Sequence, residues 1–205
     1  AGAHPVMIAR TKNKLAALAE KIKSTGGVCT YFAADITDHE AIKDIVNNQL
    51  DKVDGLVNNA GSAVIKHFED YSEADFDTLI NLNVKSYFFL SQLVANKMKK
   101  NADKKSGDMI VEGGIVNISS IMGKVAQPIN TPRPQVLYTL TKHAVEGLTK
   151  ALSVELARFN IRVNSVCPTY VETELTKKTL QNETQREFLL DRIPLKRFAN
   201  TSDVA

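Results

Sequence analysis

Tyr138 and Lys142 stand four residues apart in a stretch with helical patterning, Val136–Arg158. That spacing directs both side chains from one helix face. An ammonium beside a phenol favours phenolate and lowers a pKa that is otherwise about 10. A phenol so adjusted suits general acid–base work near neutral pH. Asn117-Ile118-Ser119-Ser120 closes the apolar run that precedes them. A serine hydroxyl at the C-terminal end of a strand can hydrogen-bond a substrate oxygen, because open α/β sheets bind ligands at that end. Tyr-x-x-x-Lys alone also occurs on many solvated helix faces, so its weight comes from the company it keeps.

Asn58-Asn59-Ala60-Gly61 follows an apolar stretch, and Ala60 and Gly61 are small enough for a ligand to lie against the backbone. The same residues also suit an ordinary turn. Asn81-Leu82-Asn83-Val84 sits inside a helical run, where asparagine is a mediocre helix former and a polar role is one explanation for it. Val163-Asn164-Ser165-Val166-Cys167-Pro168-Thr169 ends an apolar run in a proline-directed turn that runs on to Val171 and Thr173.

The elements that must position these groups alternate short apolar runs with longer helical segments. Strands are expected at Pro5–Ala9, Val28–Ala33, Asp54–Asn58, Gly114–Ser119 and Ile161–Val166. Helices are expected near Lys12–Ser24, Asp38–Leu50, Ser72–Lys100 and Val136–Arg158, with a break near Leu79–Val84, and over the tail Thr173–Arg192. Such alternation predicts one α/β domain over residues 1–205, a doubly wound parallel sheet with helices on both faces. Asn101–Glu112, polar and charged, and Gln127–Gln135, with Pro128, Pro132 and Pro134, read as loops.

In that order, Asn-Asn-Ala-Gly, Asn83-Val84, Asn-Ile-Ser-Ser, Tyr-x-x-x-Lys and Val-Asn-x-Val-x-Pro resemble the main single-domain branch of the short-chain dehydrogenase/reductase family over nearly the whole chain. The resemblance implies a Rossmann-type fold and an oxidoreductase that moves a hydride between a nicotinamide cofactor and a carbonyl. It makes Tyr138 the acid–base, with Lys142 lowering its pKa and holding the nicotinamide ribose. Ser120 would position the carbonyl, and Asn83 would anchor a water in a proton relay. Asn59, Ala60 and Gly61 would line the adenosine side of the cofactor, and Asp35 and Ile36 would flank the adenine. Pro168, Thr169, Val171 and Thr173 would border the nicotinamide. An acidic residue after the first visible strand would bind the 2′-hydroxyl of NAD; the chain has Ala9 and then Arg10, whose guanidinium suits the 2′-phosphate of NADP(H). A solvated arginine is the plainer reading of Arg10. Expected substrates are dicarbonyls, ketoses or 3-oxoacyl thioesters, and the alternatives are a non-catalytic nucleotide-binding relative or a nucleotide-sugar-modifying one. A homodimer or homotetramer through the two long helices is expected by analogy.

Three features depart from the family pattern. The family opens with a strand, a glycine-rich turn and a helix that receive the pyrophosphate, and closes with a further helix and strand. None of these is visible here, so the chain reads as an internal piece whose sheet would have a gap between Pro5–Ala9 and Asp54–Asn58. Ser120 and Tyr138 are separated by the extra proline-rich loop, either a lid or a surface insertion. Pro168-Thr169 replaces the commoner Pro-Gly, as in the dicarbonyl/L-xylulose reductase subgroup. Elsewhere the sequence excludes more than it offers. A net charge of +3 does not call for nucleic acid, and the lysines from Lys97 to Lys105 read as a solvated helix end. Cys29 and Cys167 read as reduced core thiols of a cytoplasmic protein, and the four histidines lack metal-ligand spacing. No apolar stretch is long enough to span a membrane.

Overall fold

Strands and helices alternate as the patterning predicts in the computed structural model, which describes residues 2–100, 113–127, 134–174 and 176–205. Most of the expected Asn101–Glu112 and Gln127–Gln135 loops, with Lys104 and Lys105, lies outside the described residues. Strand β1 (Val6–Ala9) leads to α1 (Lys12–Ser24), which buries Leu15 and Ala19 and carries Lys21 and Lys23 in its last turn, where cations suit the helix dipole. Gly26 then turns the chain at a φ of 79°, a conformation natural to glycine. Strand β2 (Thr30–Ala33) is shorter than expected, and Val28 is left 63% exposed. The Asp38 side chain caps α2 (His39–Asp44) by accepting the Ala41 N–H, and a π-helical turn, Ile45–Gln49, extends that helix.

After β3 (Gly55–Asn58), Ser72 and Asp75 form a reciprocal capping box on α3 (Glu73–Ile80). The break expected near Leu79–Val84 is a π-helical turn, Asn81–Lys85, from which α4 (Ser86–Lys100) continues. Next come β4 (Gly113–Ile118), α5 (Val136–Ala157) and β5 (Ile161–Val166). The helical tail is divided into α6 (Lys177–Leu180) and α7 (Glu183–Asp191), the latter capped by Asn182.

All strand pairs are parallel, but they form two sheets. β1 pairs with β2, and the second sheet has the order β3-β4-β5. Among the described residues no strand bridges β1 and β3, which is where the gap is expected. One face of the larger sheet packs on α4 and α5: Ile115, Ile161 and Val163 meet Val94, Met98 and Leu156, and Ile42 and Val46 close the core. Gly113 lets Met98 approach, since a Cβ there would lie 2.9 Å from its sulfur. The opposite face is open. A groove of about 510 Å³ runs along it past Val57, Gly114, Val116 and Arg162, with Val57 63% exposed.

A buried polar chain crosses the core. Asn58 Nδ2 donates to Ser91 Oγ at 2.9 Å and to Asn117 Oδ1 at 2.8 Å, and Asn117 Nδ2 donates to Thr149 Oγ1 at 2.9 Å. Asn58 and Asn117 are paired in register on β3 and β4, so one ladder rung carries both amides between α4 and α5. Buried polar groups so matched avoid the cost of unmade hydrogen bonds.

Candidate active site

The C-terminal ends of β3, β4 and β5 converge on the first turns of α5. Lys142 is buried, 3% exposed, and its Nζ donates to the Ile118 carbonyl at 2.8 Å. The same ammonium lies 5.6 Å from the ring centres of Tyr138 and Tyr87, so phenol and ammonium are neighbours on one face of α5. The Ser120 hydroxyl accepts the Met122 N–H at 3.2 Å and lies near enough to the Tyr138 phenol to pull its pKa down. Ser119 turns the other way and donates to the Lys142 carbonyl at 3.4 Å. Of the adjacent serines, Ser120 is therefore the one that faces the phenol.

The electrostatics correct one expectation. Burial pushes the Tyr138 phenol up, against the downward pull of Ser120, and Tyr170 adds to the rise. The lysine does not lower it, because burial pushes the Lys142 ammonium itself down to about 8. A phenol so placed stays protonated at neutral pH, the form that donates a proton.

Asn83 is fully buried at the π-helical turn. Its Oδ1 accepts the Ser62 N–H at 3.0 Å, while Nδ2 donates to the Ser62 carbonyl at 2.9 Å and to Thr141 Oγ1 at 3.1 Å. The amide thus ties the loop after Gly61 and the helix bend to α5, and its side-chain bonds go to protein rather than to open space. A Cβ on Gly61 would lie 3.4 Å from Asn83 Oδ1 and 3.8 Å from Lys142 Nζ, so this backbone passes beside the ammonium. Asn59 and Gly61 are exposed and Ala60 is half-buried.

From β5, the Pro168 carbonyl accepts the Ile121 N–H at 2.9 Å, which holds this turn beside Ser120. Thr169 is exposed, and Val171 forms a short parallel bridge with Ala199. The Thr173 N–H donates to Thr176 Oγ1 at 3.1 Å in the approach to α6. Just past the C-terminal ends of the smaller sheet's strands, Arg10 lies 3.9 Å from Asp35, with side chains 78% and 42% exposed, so the pair is weak. Asp35 is held below the usual carboxylate range first by the Thr37 N–H at 2.9 Å and the Thr37 hydroxyl at 2.7 Å, and in smaller part by Arg10. Ile36 is half-buried beside it. The structure thus brings Asn83, Gly61, Ser120, Tyr138, Lys142 and Pro168 together, and sets Arg10 with Asp35 on the other sheet.

Sequence reasoning missed Thr141 and Tyr87. Thr141 is fully buried and donates to the Tyr138 carbonyl at 2.8 Å while receiving Asn83. Its signal was a hydroxyl inside the Tyr-x-x-x-Lys run. The Tyr87 hydroxyl donates to the Ile118 carbonyl at 3.3 Å, the same acceptor that Lys142 uses, and nothing in its local pattern marked it. Both cysteines are free and half-buried rather than core. Lys97 donates to the Asn47 carbonyl at 3.0 Å and Lys99 lies 4.2 Å from the Phe159 ring centre, as a helix end does. Among the described residues no cluster of metal-ligating side chains occurs, and no helix is long and apolar enough to cross a membrane.

This arrangement sets a phenol, a serine hydroxyl and a buried ammonium at the strand ends of a parallel sheet, where open α/β folds bind their ligands. The profile of the family described as short chain dehydrogenase matches residues 1–184, and the chain belongs to that family. It is 35% identical to the 3-oxoacyl-[acyl-carrier-protein] reductase FabG of Thermotoga maritima, over 95% of this chain and 74% of that one. It is 34% identical to L-xylulose reductase of Mus musculus, over 100% of this chain and 76% of that one. Among solved structures, a gluconate 5-dehydrogenase from Burkholderia cenocepacia J2315 in complex with NADP and tartrate superposes with a TM-score of 0.84 at 27% identity, over 97% of this chain and 74% of that one. The protein is thus an oxidoreductase of the dehydrogenase/reductase type with a Rossmann-type fold.

Proposed function

We propose that the protein reduces a small ketone, reversibly, with NADP(H). The observation that carries this reading is the buried Lys142 ammonium 5.6 Å from the Tyr138 ring centre, with the Ser120 side chain beside the phenol. Gly61 supports a cofactor lying along this backbone, because the bare chain passes beside Lys142 with no side chain of its own between the ammonium and a ligand. Asn59, Ala60 and Gly61 would take the adenosine side, Asp35 and Ile36 the adenine, Lys142 the ribose, and Pro168, Thr169, Val171 and Thr173 the nicotinamide. Arg10 supports the 2′-phosphate, since its exposed guanidinium has only a weak carboxylate partner to give up. The nicotinamide supplies the hydride when bound.

The remaining work falls to the protein. Ser120 holds the carbonyl oxygen against the Tyr138 phenol, and the phenol donates its proton to that oxygen as negative charge develops there. Lys142, still charged at neutral pH, keeps a positive charge behind the phenol. Asn83 and Thr141 fix the loop and helix that carry these groups. The relatives' names favour a 3-oxoacyl, ketose or dicarbonyl substrate. Exposed Leu140 and Val154 on α5 and Phe88 on α4 favour a homo-oligomer built on those helices.

The test is a panel of dicarbonyls, ketoses and 3-oxoacyl thioesters offered with NADPH and, separately, NADH. Wild type should consume NADPH on at least one substrate. Tyr138→Phe should lower kcat by about 10²–10⁴-fold. Arg10→Ala should raise the KM for NADPH about tenfold or more while leaving that for NADH in place. No turnover of any carbonyl would support a non-catalytic relative instead.

A further inference from the structure

Three segments carry the proposed site: the end of β4 with Ser120, the face of α5 with Tyr138 and Lys142, and the end of β5 with Pro168 and Thr169. One buried carboxylate touches all three. Glu146 lies one turn beyond Lys142 on the same helix face and is 5% exposed. Its Oε1 accepts the Cys167 thiol at 3.3 Å, and its Oε2 accepts the Lys124 ammonium. The Ser119 and Ser165 hydroxyls lie near enough to help hold the carboxyl down. Ser119 precedes Ser120, Cys167 precedes Pro168, and Lys124 follows the turn Ile121–Gly123 that Ser120 caps.

The packing leaves these segments little freedom. A Cβ on Gly123 would lie 2.7 Å from Ser119 Oγ, 2.8 Å from the Lys142 carbonyl and 3.0 Å from Glu146 Cγ, so only glycine fits where the turn meets the helix. The turn is also tied to the β5 end through the Ile121 N–H and Pro168 carbonyl at 2.9 Å. A buried carboxylate is costly unless its oxygens are matched. Burial alone would raise Glu146, yet Lys124, Ser165, Ser119 and Cys167 hold it down to about 2. An apolar side chain would fill this helix position without that cost, and the proton transfer itself makes no use of the carboxylate.

We infer that Glu146 is a positioning residue: by binding Lys124 and Cys167 together it fixes the turn that Ser120 caps and the Pro168–Thr169 turn against the Tyr138–Lys142 face of α5. This rests on the reductase reading above. A fault in it misplaces the reacting groups by fractions of an ångström, which acts on the chemical step more than on substrate affinity.

The test compares wild-type full-length protein with Glu146→Ala, Glu146→Gln and Lys124→Met, each assayed below its own melting temperature. Glu146→Ala should lower kcat about 10–100-fold while the carbonyl KM changes by less than about threefold. Glu146→Gln, which keeps shape and one acceptor, should recover part of the loss. Glu146→Ala that melts earlier yet keeps wild-type kcat overturns the proposal. Should Glu146→Ala not fold, unchanged kcat in both Glu146→Gln and Lys124→Met overturns it equally. Should wild type reduce no carbonyl, the reductase reading fails and positioning is read by NMR of ¹³C-labelled tyrosine. Glu146→Gln should then shift the Tyr138 ring signal and leave that of Tyr31, on the other sheet, in place. An unmoved Tyr138 signal overturns it.

Discussion

Tyr138 and Lys142 titrate under opposite pressures. Burial raises the phenol and lowers the ammonium to about 8, so the first proton lost on raising the pH comes from the lysine. Reduction needs the phenol protonated and the charge behind it present. We expect kcat/KM for carbonyl reduction to be flat near neutrality and to fall as pH rises through about 8, the limb belonging to the pair. Lys142→Arg, whose guanidinium holds its proton, should move that limb upward by about one unit or more even where activity is reduced. A profile indifferent to that substitution would assign the limb to another group. At this scale the reacting groups were legible, because a phenol and an amine four apart need only helical periodicity to be placed together. Their supporting partners were not. Ser119 meets Lys142 across 23 residues of sequence and Cys167 meets Glu146 across 21, and no local pattern reports such contacts. The direction of the Tyr138 shift was misjudged for the same reason, since burial is a property of the fold.

The helices were read well where one face is apolar and the ends are marked. The Ser72–Asp75 capping box and the acidic first turn of α3 are sequence features with a direct structural meaning. The π-helical turns at Ile45–Gln49 and Asn81–Lys85 were not legible as such. Their geometry is imposed by what the widened turn must reach, in the second case Ser62 and Thr141. α5 extends past the site with Val154 79% exposed and Leu140 46% exposed. A valine so open on a long helix invites a partner. Val154→Glu should therefore shift the protein toward monomer in sedimentation velocity and weaken association about tenfold or more, by placing a charge in an apolar contact. An unchanged sedimentation coefficient would remove α5 from the interface.

Over the whole molecule, the two parallel sheets leave β1 and β3 with facing edges that pair with nothing among the described strands. Unpaired backbone on a buried-type parallel strand is poorly tolerated. Residues 1–205 produced alone should give a broad, aggregation-prone melt, with NADPH adding less than about 1 kcal/mol of stability. A sharp transition raised several degrees by NADPH would show that the open lane does not matter. The parallel pairing was foreseen from the alternation of elements and the gap from the family likeness; the open sheet face beside Val57 was not, because Gly55-Leu56-Val57 reads as an interior strand. The rung formed by Asn58 and Asn117 bears on how this sheet assembles. A slide of one residue between β3 and β4 would set the Asn58 carboxamide opposite Val116 or Ile118 and part it from Asn117. A mispaired sheet thereby loses its amide rung, so the core enforces the alignment on which the reacting groups depend.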